Sequence, residues 1–108
     1  AVRVGDMLYV SGQIGIDPET NKLVKGNAEE EMKQVFKNIA HILDSAGLNL
    51  TSVVKVVLYM NDIGDSSIFN EIYAMNFHKP YPARSSFAVS SLPMGAKVKM
   101  EVIAHYES

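Results

Sequence analysis

The chain has 108 residues, 47% hydrophobic and 20% charged, which fits one folded domain and excludes a disordered or fibrous chain. Its formal net charge of −2 leaves no electrostatic footprint for nucleic acid or an anionic membrane. No apolar run approaches the ~20 residues of a membrane-spanning helix. The absence of cysteine excludes disulfides and thiol catalysis and fits a reducing compartment.

The chain starts at Ala1 in a strand-like AVRV, which is compatible with a segment upstream, a targeting one included. AVRVGDMLYVSGQIG reads as a hairpin, two β-rich runs about Gly5-Asp6. Asp17-Pro18-Glu19-Thr20-Asn21 is a turn cluster, and Lys22 to Val24 reads as a short edge strand. Asn27 caps a helix, with Glu30 at capping-box spacing and Glu29, Glu30 and Glu31 favoured by the dipole of the first turn. Ala28, Met32, Val35, Phe36, Ile39, Ile42, Leu43 and Ala46 form its apolar stripe, and Gly47 ends it.

Val53 to Met60 is almost continuously apolar, which predicts a strand buried on both faces. Asp65 or Ser66 opens a second helix, with Ile68, Phe69, Ile72, Tyr73 and Phe77 inward and a stop before Pro80. Strands over Ala83–Ser90 and Lys97–Tyr106 close the chain. The order ββ(β)αβαββ predicts an α+β domain with six strands in a mixed sheet and both helices on one face.

Alternation puts Val98, Met100, Val102 and Ala104 toward the helices and Lys97, Lys99, Glu101 and Ile103 away. It groups Phe87 with Val89, and Arg84 with Ser86, Ala88 and Ser90. The sheet face away from the helices is then expected to carry small residues with Arg84, Lys99 and Glu101, a surface suited to another subunit.

Arg84, flanked by Ser85 and Ser86, has the chemistry to hold a carboxylate with two parallel hydrogen bonds. By composition alone an ion-paired or solvated arginine is the commoner role. Gly12 allows close approach to backbone and Ser11 offers a hydroxyl, although a plain strand end accounts for both. His41, His78 and His105 lack metal-ligand spacing, so no metal site is expected, and no nucleophile elbow or phosphate loop occurs.

AVRVGDMLYVSGQIGIDPETNKLV, KNIAHILDSAGLNLTSVVKVVLYMND, FNEIYAMNF and YPARSSFAVSSLPMGAKVKMEVIA resemble the RidA/YjgF family, also labelled L-PSP endoribonuclease or UK-type translation inhibitor. The resemblance covers essentially all of residues 1–108 as one such domain. It implies a chorismate-mutase-like subunit in a homotrimer, with clefts between subunits. It implies hydrolysis of 2-aminoacrylate and related 2-imino acids to 2-keto acids and ammonia, without a cofactor. By the same resemblance Arg84 grips the substrate carboxylate, Ser11 and Gly12 line the cleft, and Ser86 occupies a small pocket position. Asn70 reaches the cleft from the neighbouring subunit.

Two departures stand out. The family carries a Pro-Tyr segment before AVRVGD, whose tyrosine lines the cleft, and this chain begins after it. Lys99 stands where the family has the water-positioning glutamate of Val-Glu-x-Glu, and Glu101 keeps the second, which reads as structural. The expectation is a deaminase slowed or redirected by Lys99, with Arg84 and Lys99 as catalytic residues across one cleft and Lys99 open to serving as a base itself. Lys99 either faces the cleft as a second cation or turns aside to pair with Glu101 or a neighbouring subunit. The alternatives are a non-catalytic carboxylate-binding trimer, or an endoribonuclease, for which the residues show neither an acid/base pair nor a basic track. A cytoplasmic setting is expected, with a mitochondrial one left open by the N-terminal segment.

Overall fold

The computed structural model describes residues 1–107. The elements are β1 (Val2–Val4), β2 (Met7–Gln13), β3 (Ile16–Asp17), β4 (Lys22–Leu23), α1 (Ala28–Ser45), β5 (Val53–Met60), α2 (Ser66–Asn76), β6 (Ala83–Ala88) and β7 (Val98–His105). Among the described residues no helix is long and apolar enough to cross a membrane.

The hairpin forms where the sequence predicts it. Gly5 adopts φ +57°, the left-handed conformation that the tight turn requires and that glycine enters without a Cβ clash. Asn27 Oδ1 accepts the Glu30 N–H at 3.2 Å, which caps α1. Gly47, at φ +79°, ends that helix by donating to the Asp44 carbonyl.

The main sheet has five strands in the order β1-β2-β7-β5-β6, with β6 parallel to β5 and the other pairs antiparallel. The expected sixth strand does not join it. β4 pairs instead with β3 in a separate two-residue ribbon. Asn38 on α1 explains the diversion, because its Nδ2 donates to the carbonyls of Ile14 and Ile16 at 3.2 and 2.9 Å. These bonds satisfy strand-end acceptors and tie the ribbon to the helix.

The core lies between the two helices and one face of the sheet. Met32, Val35, Ile39 and Leu43 of α1 meet Phe69 of α2 and Val56, Leu58, Val98 and Met100 of the sheet, all fully buried. Each such side chain contributes about 1.5–3 kcal/mol by leaving water. β5 departs from expectation, since only one of its faces is fully buried. Val54 is 44% exposed, and Lys55, Val57 and Tyr59 are half-buried on a face that no helix covers.

Glu31 lies in the first turn of α1, as the sequence predicts, but it has a second role there. It is only 2% exposed. Its carboxylate accepts the Lys97 backbone N–H at 2.8 Å and the Lys97 Nζ at 3.3 Å, pinning the entry to β7 against α1. A buried carboxylate persists only with such partners.

Candidate functional site

Arg84 lies on the helix side of the sheet, which corrects the expected grouping. The parallel register sets Arg84 opposite Val56, Ser86 opposite Leu58 and Ala88 opposite Met60, all three partners being core residues. Ser85 and Phe87 take the open face, opposite Val57 and Tyr59. β6 is an edge strand, and it carries alanine or serine on both faces, so hydrophobic contrast does not set its orientation.

α2 and β6 together immobilise the guanidinium. Arg84 Nε donates to Ser86 Oγ at 2.8 Å, and Nη2 donates to Asn70 Oδ1 at 2.7 Å. The group lies over the Tyr73 ring, with Cζ 4.4 Å from the centroid. Ser86 and Asn70 thus occupy the Nε/Nη2 side, and Tyr73 occupies one face. The outer edge keeps both Nη1 protons and one Nη2 proton, a planar fork that matches a carboxylate. Among the described residues Arg84 has no ion-pair partner of its own.

Tyr73 is 7% exposed, and its hydroxyl has no hydrogen-bond partner among the described residues. Burial pushes the phenol pKa above its usual value, against the opposing pull of Arg84. The hydroxyl therefore stays protonated at neutral pH, and the ring under Arg84 stays uncharged.

Ser11, Gly12 and Lys99 lie on the other, open face. β7 pairs with β2 and β5, so β5 separates it from β6 and places Lys99 opposite Tyr59. The Lys99 stem crosses directly over Gly12, where an added Cβ would fall 2.0 Å from Lys99 Cε. The irregularity of β2 between Val10 and Gln13 occurs at this crossing. The Lys99 ammonium sits 5.7 Å from the Tyr59 ring centroid. The Tyr59 hydroxyl donates to Glu101 Oε1 at 3.0 Å, and that bond, with burial and the Glu101 charge, raises the phenol pKa. Lys55 Nζ donates to Ser85 Oγ at 3.3 Å. Beside them a cleft of about 310 Å³ is lined by Tyr9, Ser11, Lys55, Val57, Glu101 and Ile103.

The predicted site residues thus fall into two groups within the chain. Arg84, Ser86 and Asn70 converge, and Ser11, Gly12 and Lys99 converge, but the sheet separates the two sets. Asn70 meets Arg84 of its own chain, not from a neighbouring subunit as expected. Lys99 does not face Arg84 within the chain, because the two strands are not neighbours. Tyr73, Tyr59 and Lys55 were missed as site residues. The sequence does place Tyr73 on the inward stripe of α2 one turn after Asn70, which is the signal that could have found it.

The open face itself is less polar than expected. Val2, Val4, Tyr9 and Phe87 are 63, 61, 45 and 52% exposed. Phe87 stacks on Tyr59 at 6.1 Å between centroids. Together with Val57 and Ile103 they form a mixed apolar and charged surface.

Residues 1–106 match the endoribonuclease L-PSP family. The chain is 43% identical over 104 residues to the human 2-iminobutanoate/2-iminopropanoate deaminase, spanning 96% of this chain and 76% of that protein. It is similar to the crystal structure of RidA from an Antarctic Psychrobacter species, with TM-score 0.92 and 41% identity over 96% of this chain and 84% of that one. It is also similar to E. coli TdcF with bound serine, with TM-score 0.91 and 29% identity over 98% of this chain and 85% of that one.

Proposed function

This chain belongs to the endoribonuclease L-PSP family, and we propose that it is a hydrolytic deaminase converting 2-imino acids to 2-keto acids and ammonia. The observation that carries this reading is the guanidinium of Arg84, locked by Ser86, Asn70 and Tyr73 with its outer edge free. That edge fits the carboxylate that every 2-imino acid presents beside its reacting carbon. The human relative named for deamination of 2-iminobutanoate and 2-iminopropanoate, and the TdcF structure holding serine, support a small carboxylate as ligand.

Hydrolysis adds the oxygen of water to the imine carbon, and the carbon–nitrogen bond breaks to release ammonia. The imine is reactive without help, so holding substrate and water in line supplies much of what is needed. Lys99 brings donors and no acceptor and does not activate that water. Glu101 is the carboxylate of the open face and is the group we assign to accept from it.

The two half-sites form one site between chains. In this reading three copies of a chorismate-mutase-like subunit close head to tail, and the Arg84 group of one meets the Ser11, Gly12 and Lys99 group of the next. Support comes from the separation of the two groups and from the exposed apolar residues of the open face. No cofactor takes part.

A coupled assay for keto acid and ammonia from 2-aminoacrylate tests the reaction. The enzyme is expected to outpace buffer, and a rate equal to buffer overturns the reading. Mixed trimers test the shared site. Arg84→Ala and Gly12→Val each disable one half. Random mixed assembly of equal amounts of the two should restore about one quarter of the sites, since an intact pair needs an undamaged half from each neighbour. A site contained within one chain would recover nothing.

A further inference from the structure

We propose that the site selects imines carrying a second carboxylate, those of the dicarboxylic amino acids, and that Lys99 reads that group. This rests on the deaminase reading above and names its substrate class. Lys99 is a free cation in the cleft or a partner of Glu101 or of a neighbouring subunit, and within the chain it does not pair with Glu101. Glu101 gives Oε1 to the Tyr59 hydroxyl. Among the described residues no carboxylate oxygen lies within 4.0 Å of Lys99 Nζ, and the ion pairs found there are Lys33–Glu29 and Lys97–Glu31.

Lys99 is nevertheless not a loose surface lysine. Gly12 leaves a groove for its stem, and its half-buried side chain is carried over the open-face strand toward Tyr59. The adjacent cation on this face, Lys55, donates to Ser85, so the face holds two ammonium groups against the single carboxylate of Glu101. Joining this face to the Arg84 half-site adds a third cation that also has no ion-pair partner among the described residues of its own chain. A monocarboxylate imine neutralises Arg84 alone. A second carboxylate completes the charge balance at Lys99, through a charge-assisted hydrogen bond.

The reaction is unchanged in kind. Water oxygen bonds to C2 of 2-iminosuccinate, the carbon–nitrogen bond breaks, and oxaloacetate and ammonia leave. The reaction that must supply this substrate is the two-electron oxidation of the amino carbon of an acidic amino acid.

The test uses the whole chain and two imines made in place, 2-iminosuccinate from aspartate and 2-iminopropanoate from alanine, by the matching amino-acid oxidases with catalase present. Wild type should favour 2-iminosuccinate by about tenfold in kcat/KM, as one charge-assisted contact predicts. Lys99→Met keeps the stem over Gly12 and should bring the ratio to about one, while Lys99→Arg restores the preference. Calorimetry with succinate and butanoate as stable probes repeats the comparison without turnover, and succinate should bind about tenfold tighter until Lys99 is changed. Equal handling of the paired ligands by wild type, or a preference that survives Lys99→Met, overturns the proposal. Failure to hydrolyse either imine would remove the deaminase reading, and the calorimetry would still decide whether Lys99 selects a second carboxylate.

Discussion

Arg84 and Lys99 are both cations on strands of one sheet, yet the fold treats them differently. Arg84 is fixed by a hydroxyl, an amide oxygen and an aromatic ring at 2.8, 2.7 and 4.4 Å. Lys99 rests on a glycine and ends 5.7 Å from a ring centroid, with no hydrogen bond to its ammonium among the described residues. A planar fork that binds with two parallel bonds gains from being held still, because ordering it at binding would cost side-chain entropy. A point charge on a flexible stem suits ligands that differ beyond the carboxylate. Arg84 thus serves the invariant part of a ligand and Lys99 its variable part.

The largest effect is expected from Arg84→Ala. Loss of a charge-assisted, two-bond contact should lower kcat/KM by about a hundredfold on every carboxylate imine alike. The fold should persist, because Arg84 sits at an edge strand outside the core cluster. Steady-state kinetics beside a thermal melt check this, and an arginine whose removal changes neither substrate is not the grip.

Asn70→Ala should follow at about tenfold, because it releases Nη2 and lets the fork turn while leaving its charge. The loss should be equal for mono- and dicarboxylate substrates. A change in their ratio would mean that the arginine side also reads the variable part of the ligand.

Gly12→Ala comes next, at several-fold. Its Cβ would meet the Lys99 stem, which is a flexible side chain, so the stem should yield and stability should change by less than about 1 kcal/mol. The displaced ammonium should cost affinity for succinate and leave butanoate untouched, which calorimetry resolves.

Much of the fold was legible because its periodicities are strong. The stripe of α1 and the bounds of β5 match the structure closely, since these apolar runs contrast with polar neighbours, although only one face of β5 is fully buried. The orientation of β6 was not legible, because ARSSFA gives no such contrast and the register comes from a parallel partner 28 residues earlier. The burial of Glu31 escaped because a glutamate in a first helical turn has a sufficient local reason to be there. The site residues themselves were named through the family resemblance, but their division between two faces depends on strand order. Alternation within single strands does not contain strand order, so it does not reveal that β5 separates Arg84 from Lys99.

Tyr73 offers the smallest effect and the finest distinction. Its ring lies under the guanidinium, while its hydroxyl is buried without a partner among the described residues. If the ring alone positions Arg84, Tyr73→Phe keeps the contact and removes an unsatisfied polar atom, an arrangement that ordinarily costs about 1–3 kcal/mol. Activity should then stay within about twofold of wild type while the melting temperature holds or rises by a few degrees. Tyr73→Leu removes the ring and should raise KM about fivefold for both substrate classes with kcat little changed, the signature of weakened uniform binding. Comparing the two variants separates the hydroxyl from the ring. A Phe variant as impaired as the Leu variant would assign the hydroxyl a role in the reaction, and the arginine side would then do more than hold a carboxylate.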